Sequence, residues 1–434
     1  MNRKSRKTNV LLSYICLLTV TLFYIGCKDD EVDSIQYDPD KPLVYEGFTP
    51  QSGGVGSQLI IKGNNFGSDT SLVRVFVNEK EAPVISIRNN RIYAVLAART
   101  GTGKIKIVVG KGDQQQTIET DSVFKYNFKE NVSTLTGFTD DAGNSQIVDG
   151  TLDKAQFIYP QAMICDQEGT IFTIEYQRDV RSISVLNNIV QTPMGQNGEW
   201  PEPQMLALSR SEDTLFVSNL RDGDNSCAVV MMTRSHGFMN PKTIIRGDRA
   251  FGLAVNPVDG SLLYSLETPG EIYRYDFTTE KSELLYHSNN NHLMALCFTQ
   301  DGKTLYAISK WTQTIFRSVY DFKTKTITPL EVFVGGAGGY VDGVGSEARF
   351  NNPSQGVCDD DGNIYVADCG NNCIRKITPS GIVTTYAGTG VAGFKEGAPS
   401  QAQFRLPDGI CIDKDNVVYL GDTHNHRVRK IVVE

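Results

Sequence analysis

Two stretches near the C-terminal end of this chain repeat one another at a fixed offset. Phe350 and Phe404, Pro353 and Pro407, Tyr365 and Tyr419, Asp368 and Asp422, and Arg375 and Arg429 are each 54 residues apart. Both copies run A-x-F, two residues, Pro, a short apolar run and an Asp/Gly/Asn turn. A second apolar run with Tyr follows, then Asp, an Asn-rich loop and [IV]-R-K-I. So long a period marks a supersecondary unit that cannot bury its own apolar face and must stack on its neighbours.

A third copy opens at Ala155-Gln156-Phe157 with Pro160, and Val148-Asp149-Gly150 precedes it as Val341-Asp342-Gly343 precedes the copy at Phe350. The 193 residues from Phe157 to Phe350 hold four units of about 48. Weaker copies stand at Met205 to Val217, Gly252 to Tyr264 and Leu293 to Tyr306. The spacing predicts six units of about four short strands each. The last copy stops one strand short, at Val428 to Glu434. Val132 to Gly137 (VSTLTG) parallels Val383 to Gly388 (VTTYAG), the outermost strand of unit five. The sixth sheet is therefore expected to join three C-terminal strands to strand 132–137, which removes an exposed edge.

The pattern P-x-x-x-[VI]-x-D…G-N-I-Y-V-A-D-x-x-N-x-x-I-R-K-I resembles the NHL repeat over about residues 131–434. The resemblance implies an all-β fold containing a six-bladed NHL-like β-propeller. NHL propellers include carbohydrate-associated surface proteins, protein-binding scaffolds, RNA binders and a few lyases, so fold does not choose among functions.

The segment ahead of the repeats is about ninety residues, the size of one small domain. It has short alternating strands and frequent Gly turns. Phe48-Thr49-Pro50, Ser52-Gly53-Gly54, Gly56 and the I-x-G-x-N-F-G run at 61–67 resemble an IPT/TIG immunoglobulin-like domain. That resemblance implies a sandwich over 42–128 acting as a spacer. Gly63 and Gly67 are expected to bracket a turn needing positive φ.

The first 26 residues read as a signal peptide: Arg3, Lys4, Arg6 and Lys7 precede an uncharged run from Val10 to Ile25. Gly26-Cys27 resembles the lipobox of bacterial lipoproteins, with Tyr24 in place of the usual Leu. The resemblance implies lipidation of Cys27, with the membrane engaged through that anchor only. Lys28-Asp29-Asp30-Glu31 in the 27–41 linker reads either as the export tag of outer-membrane surface lipoproteins or as a solvated tether. Losing four cations and no acid takes the formal charge from −8 to −12 (−8 − 4). With no Lys/Arg stripe, an acidic chain is a poor polyanion binder, so no nucleic acid is expected.

Nine cysteines are present. Setting aside Cys16 and Cys27 leaves an odd seven, which argues against a full disulfide framework. Cys165, Cys297, Cys358 and Cys411 fall at equivalent strand ends and suit small buried positions. Cys369 and Cys373 could form a local disulfide or remain free.

Propeller ligands meet the loops joining second to third strands and fourth strands to the next first strand. By alignment Trp200 and Trp311, the only two tryptophans, fall on that face. An indole suits stacking on a sugar ring or docking a protein, and also suits filling a gap between loops. Around them stand Tyr176, Gln177, Arg178 and Asp179, then Arg221, Asp222, Asp224 and Asn225, and Asp248 with Arg249. Paired donors and acceptors of this kind read hydroxyls, or else are ordinary solvated loop residues. His287 and His292, and His424 and His426, share the face. The D-T-H-N-H-R run at 422–427 matches the ordinary NHL turn, so neither a metal nor a cofactor is expected. G-x-S-x-G and H-E-x-x-H motifs are absent.

The expectation is a non-catalytic, lipid-anchored surface binder of extracellular glycan. Its candidate ligand residues are Trp200, Trp311, Tyr176, Arg178, Arg221, Asp222, Arg249, His292 and His424. A protein–protein scaffold at the cell envelope is the alternative, with a metal-dependent lyase third.

Overall fold

The computed structural model describes residues 36–433 except 89, 98–99, 128–129, 141, 196–201, 221–226, 248 and 288–291. Cys27 and the leader therefore lie outside the described residues. The chain divides into two compact units at Tyr126/Asn127. Among the described residues every regular element is a strand or a short 3₁₀ turn.

The first unit pairs two sheets. One runs Val44–Thr49, Gln58–Asn64, Arg91–Val95, Val84–Arg88 in spatial order. The other runs Ser52–Gly53, Gln116–Tyr126, Gly103–Val109, Val73–Val77, Lys80–Ala82. Their strands alternate buried and exposed residues, as in Val73–Val77. Leu59 and Ile61 from one sheet join Val75, Ile107 and Phe124 from the other in one core. Gly67 does adopt a positive φ, +72°. Gly63 does not, and is required for a different reason. A Cβ there would stand 1.9 Å from the Val44 carbonyl oxygen, so the neighbouring strand excludes any side chain.

The second unit is propeller-like. Its sheets begin with the first strands Pro160–Cys165, Pro203–Leu208, Ala250–Val255, Leu293–Phe298, Pro353–Cys358 and Pro407–Ile412, each followed by antiparallel partners in chain order. The first strand of each sheet packs against that of the next, and the one at Pro407–Ile412 packs against Pro160–Cys165. Glu130–Thr136 lies antiparallel beside Arg427–Val433, with Val132 opposite Ile431.

The A-x-F phenylalanines are wedges. Phe157, fully buried, sits among Ile171 and Ile183 of its own sheet and Tyr419 and Val428 of the last. Phe404 sits between Ile374 and Ala387 of unit five and Leu420 of unit six. The repeated arginines are also buried, with no exposed surface. Arg375 donates to the carbonyls of Arg349 (2.9 Å) and Val341 (2.8 Å) and to Asp368 (3.0 Å) and Asp342 (2.6 Å). Its guanidinium also lies 5.1 Å from the Phe350 ring centre. One cation thus ties the long loop entering unit five to that unit's second strand.

Strand direction sorts the connections. Turns after first and third strands fall at one end of the unit, here the turn end. Loops after second and fourth strands fall at the other, the loop end.

Candidate functional site

At the loop end the six first strands converge on a depression of about 110 Å³. Each unit contributes the residue after its first strand's opening position: Gln161, Gln204, Phe251, Met294, Ser354 and Asp408. Units one, two, five and six thus supply polar groups, and units three and four an apolar wall. Gln177, Lys310 and Cys369 reach in from the loops between second and third strands.

These polar groups are loosely satisfied. Gln161 Nε2 reaches Asp408 Oδ2 at 3.4 Å, while Gln161 Oε1 is buried and has no hydrogen-bond partner among the described residues. Gln177 Nε2 donates to Gln204 Oε1 at 3.4 Å, and Gln204 Nε2 to the Glu202 carbonyl at 3.0 Å. Ser354 Oγ donates to the Asp408 carbonyl at 2.7 Å. Burial raises the Asp408 carboxyl above its ordinary value, against lowering by Ser354, Lys310, Gln161 and His424. Burial also pushes the Cys369 thiol up to about 12, so it stays protonated near neutrality.

Two aromatic stations stand in the loop-end connections, each one residue in sequence from a lining group. Tyr176 precedes Gln177 and is exposed, its ring 5.2 Å from Tyr159. Tyr159 in turn contacts His424 at 4.9 Å and His426 at 5.6 Å. Trp311 follows Lys310; it is 66% exposed, with His292 at 5.7 Å. Burial and the Arg405 guanidinium lower the His424 pKa, which favours a neutral ring.

Of the expected site residues, the structure therefore gathers Tyr176 with His424, through Tyr159, and Trp311 with His292. Arg178 is exposed in the Tyr176 loop. Arg249 is held by Glu267 at 2.8 Å, and His287 pairs with Glu271. Trp200, Arg221 and Asp222 lie outside the described residues, as do Asp224, Asn225 and Asp248. Among the described residues no three His, Cys, Asp or Glu side chains converge as metal ligands. Cys369 and Cys373 are both free thiols.

The turn end carries larger cavities, about 430 Å³ walled by first-strand residues such as Leu206, Leu253 and Ile410, and about 250 Å³ rimmed by acids. Three of those acids serve their own turns. Asp166 accepts from the Thr170 N–H, Asp359 from that of Asn363 and Asp413 from that of Val417. Size alone does not make a site. The loop end has the less committed polar groups and the exposed aromatics.

Family comparisons agree with this architecture. Residues 43–126 match the IPT/TIG domain, 260–393 the SMP-30/Gluconolactonase/LRE-like region, and 404–431 the NHL repeat. The chain carries an IPT/TIG domain followed by an NHL/SGL repeat region. Two similar solved structures are described as auxiliary nutrient binding proteins. The one from Bacteroides thetaiotaomicron is 29% identical, with a TM-score of 0.67, covering 92% of this chain and 99% of that one. The one from Bacteroides ovatus is 25% identical, with a TM-score of 0.69, covering 92% and 100%. A curated relative, Protein SUPPRESSOR OF QUENCHING 1, chloroplastic, of Arabidopsis thaliana, is 41% identical over 91 residues, 21% of this chain. The match spans 9% of that protein's length.

Proposed function

We propose that this chain is a non-catalytic binding protein whose loop end takes up an extracellular neutral glycan. In this reading the second unit is a six-bladed propeller, its last blade completed by Glu130–Thr136. The IPT/TIG domain is a spacer, and Cys27 is the lipid anchor that holds the protein at the outer membrane, facing outward. The order of first-strand contacts and the Glu130–Thr136 pairing support the closed ring. The two nutrient-binding structures support a binding role.

One observation carries the glycan reading: a depression of mixed amide, carboxyl, hydroxyl and ammonium groups shares the loop end with two exposed aromatics. Sugar hydroxyls donate and accept at once, so they need both kinds of partner, while the C–H faces of the ring need flat apolar ones. The lining holds one carboxyl group, Asp408, and among the described lining residues no second carboxylate or imidazole to complete an acid–base pair. The formal charge of −8 disfavours polyanionic chains.

Affinity electrophoresis of the full-length protein through gels containing laminarin, galactomannan, xyloglucan or dextran tests the reading. Retardation in at least one gel is expected. Unretarded migration in all of them, with an envelope protein captured through the loop end instead, would favour the scaffold.

A further inference from the structure

Four cysteines occupy two related places at the turn-end ends of first strands. Cys411 of unit six and Cys297 of unit four each stand opposite a second-strand tyrosine, Tyr419 and Tyr306. Cys165 of unit one and Cys358 of unit five each stand one residue further along, opposite Ile171 and Ile364. The first strands of units six and one pack side by side, and so do those of units four and five. A cysteine of the first kind thus faces one of the second kind on the next unit, and the same arrangement occurs at two seams.

The side chains meet there. Cys165 Sγ donates to the Ile412 carbonyl at 2.9 Å, one residue from Cys411. Burial, and then contact with the Cys165 thiol, raise the Cys411 thiol well above its ordinary pKa. Contact with the Cys297 thiol, and then burial, do the same to Cys358. All four are free thiols. The same two positions hold Ile164 and Leu208 between units one and two, and Val357 and Ile412 between five and six. Aliphatic side chains fill such a seam, so filling it does not require sulfur; what paired thiols add is the capacity to form a bond.

We infer that Cys165 with Cys411, and Cys297 with Cys358, are sites of disulfide formation that staple neighbouring units through their first strands. The oxidant is a small disulfide, which an oxidising compartment outside the cytoplasm supplies. Cys165, Cys297 and Cys411 line the larger turn-end cavity, and Cys165 and Cys358 the smaller. The half-buried member of each pair, Cys165 or Cys297, reacts first. Its thiolate attacks one sulfur of the reagent, releasing one reagent thiol and leaving a mixed disulfide. Cys411 or Cys358 then attacks its partner's Sγ and releases the second, its proton passing to the departing thiolate. Two protein thiols become one disulfide, and the reagent disulfide becomes two thiols. None of this depends on the glycan reading or on a ligand at the loop end.

For the test, reduced full-length protein is incubated with hydroxyethyl disulfide, alkylated in denaturant and digested without reduction. Mass spectrometry should find Cys165 joined to Cys411 and Cys297 joined to Cys358, with Cys227 alkylated. The first link encloses units two to five, so the oxidised protein should unfold roughly 10 °C higher than the reduced. Cys165→Ala should lose most of that shift and keep the Cys297–Cys358 link. The peptide map is made on the wild type, so the result does not depend on how the variant folds. Hydroxyethyl adducts on Cys165 and Cys297 without cross-links, links to other cysteines in their place, or four unmodified thiols would each overturn the inference.

Discussion

Units one, five and six are built differently from units two, three and four. The first group has the A-x-F wedge and a buried arginine: Arg181, Arg375 and Arg429 are fully buried, as are Phe157, Phe350 and Phe404. The carboxylate at the end of the second strand caps the incoming loop, Asp368 accepting from the Asn351 N–H and Asp422 from the Arg405 N–H, both at 2.8 Å. In unit two the same position is Asn219, which accepts from the Glu202 N–H at 3.0 Å and donates to the Cys227 carbonyl at 2.7 Å. A neutral amide does the capping, and among the described residues of the unit no fully buried cation stands beside it. In unit four the position of the buried arginine is Phe316, and the neighbouring Arg317 forms an exposed pair with Glu331 at 2.7 Å. The sequence pattern is thus strongest where a buried guanidinium dictates its surroundings, because such a group tolerates few partners. Where the scaffold uses neutral or solvated groups, the pattern erodes while the sheet survives.

The largest expected effect separates the two groups. Arg375→Met leaves Asp368 buried with no cation and two carbonyls unmet, at a cost of about 3–5 kcal/mol in urea denaturation. Arg317→Met in unit four, where the register match of Arg375 is Phe316, should cost only about 0–1 kcal/mol, since the Arg317–Glu331 pair is solvated. Equal losses at the two positions would erase the distinction drawn here.

Unit one sharpens it further. Glu175 replaces the Asp of units five and six, and one oxygen, Oε2, is 3.9 Å from Arg181 Nη1 and unpartnered among the described residues. Burial lifts its pKa from 4.5 to about 7, against lowering by the Tyr159 N–H and the Arg181 charge. A folded pKa above the unfolded one means that the native state binds the proton more tightly. Stability should therefore fall as pH rises from about 4.5 to 7 and level off above that. At ~1.4 kcal/mol per pH unit the window is worth on the order of 3 kcal/mol. Urea midpoints at pH 5 and 8 should differ more for wild type than for Glu175→Gln, and an unchanged difference would show that Glu175 does not titrate there.

The smallest effect is on binding. Trp311→Ala and Tyr176→Ala should each lose ~1 kcal/mol of glycan affinity, about fivefold, with unchanged thermal unfolding. Loss of stability at 311 would mean the indole supports its loop rather than a ligand.

Architecture was largely legible in the sequence because period, wedge and arginine are local and repeated. Phe350, Asp368 and Arg375 appear by name in both the pattern and the packing. The site was less legible. The loop placement of Tyr176, Trp311, His292 and His424 was read from the repeat alignment, but the convergence of Gln161, Gln204, Ser354 and Asp408 was not. Each looks like an ordinary polar residue at a strand start, and they converge only when strands far apart in the chain meet. One signal was available: the residue after the first-strand proline is polar in all four units that have that proline, Gln161, Gln204, Ser354 and Asp408. Gly63 escaped for a similar reason, since its constraint comes from a strand nearly twenty residues away rather than from its own turn.

The most direct test sets the two ends of the propeller unit against each other in one titration. A neutral polysaccharide retained in the gel panel is titrated into wild type, the loop-end double variant Gln161→Ala/Trp311→Ala, and the turn-end variant Lys414→Ala. The loop-end variant should lose most of the binding while the turn-end variant matches wild type. Binding that survives the loop-end changes and falls with Lys414→Ala would contradict the assignment of the working face.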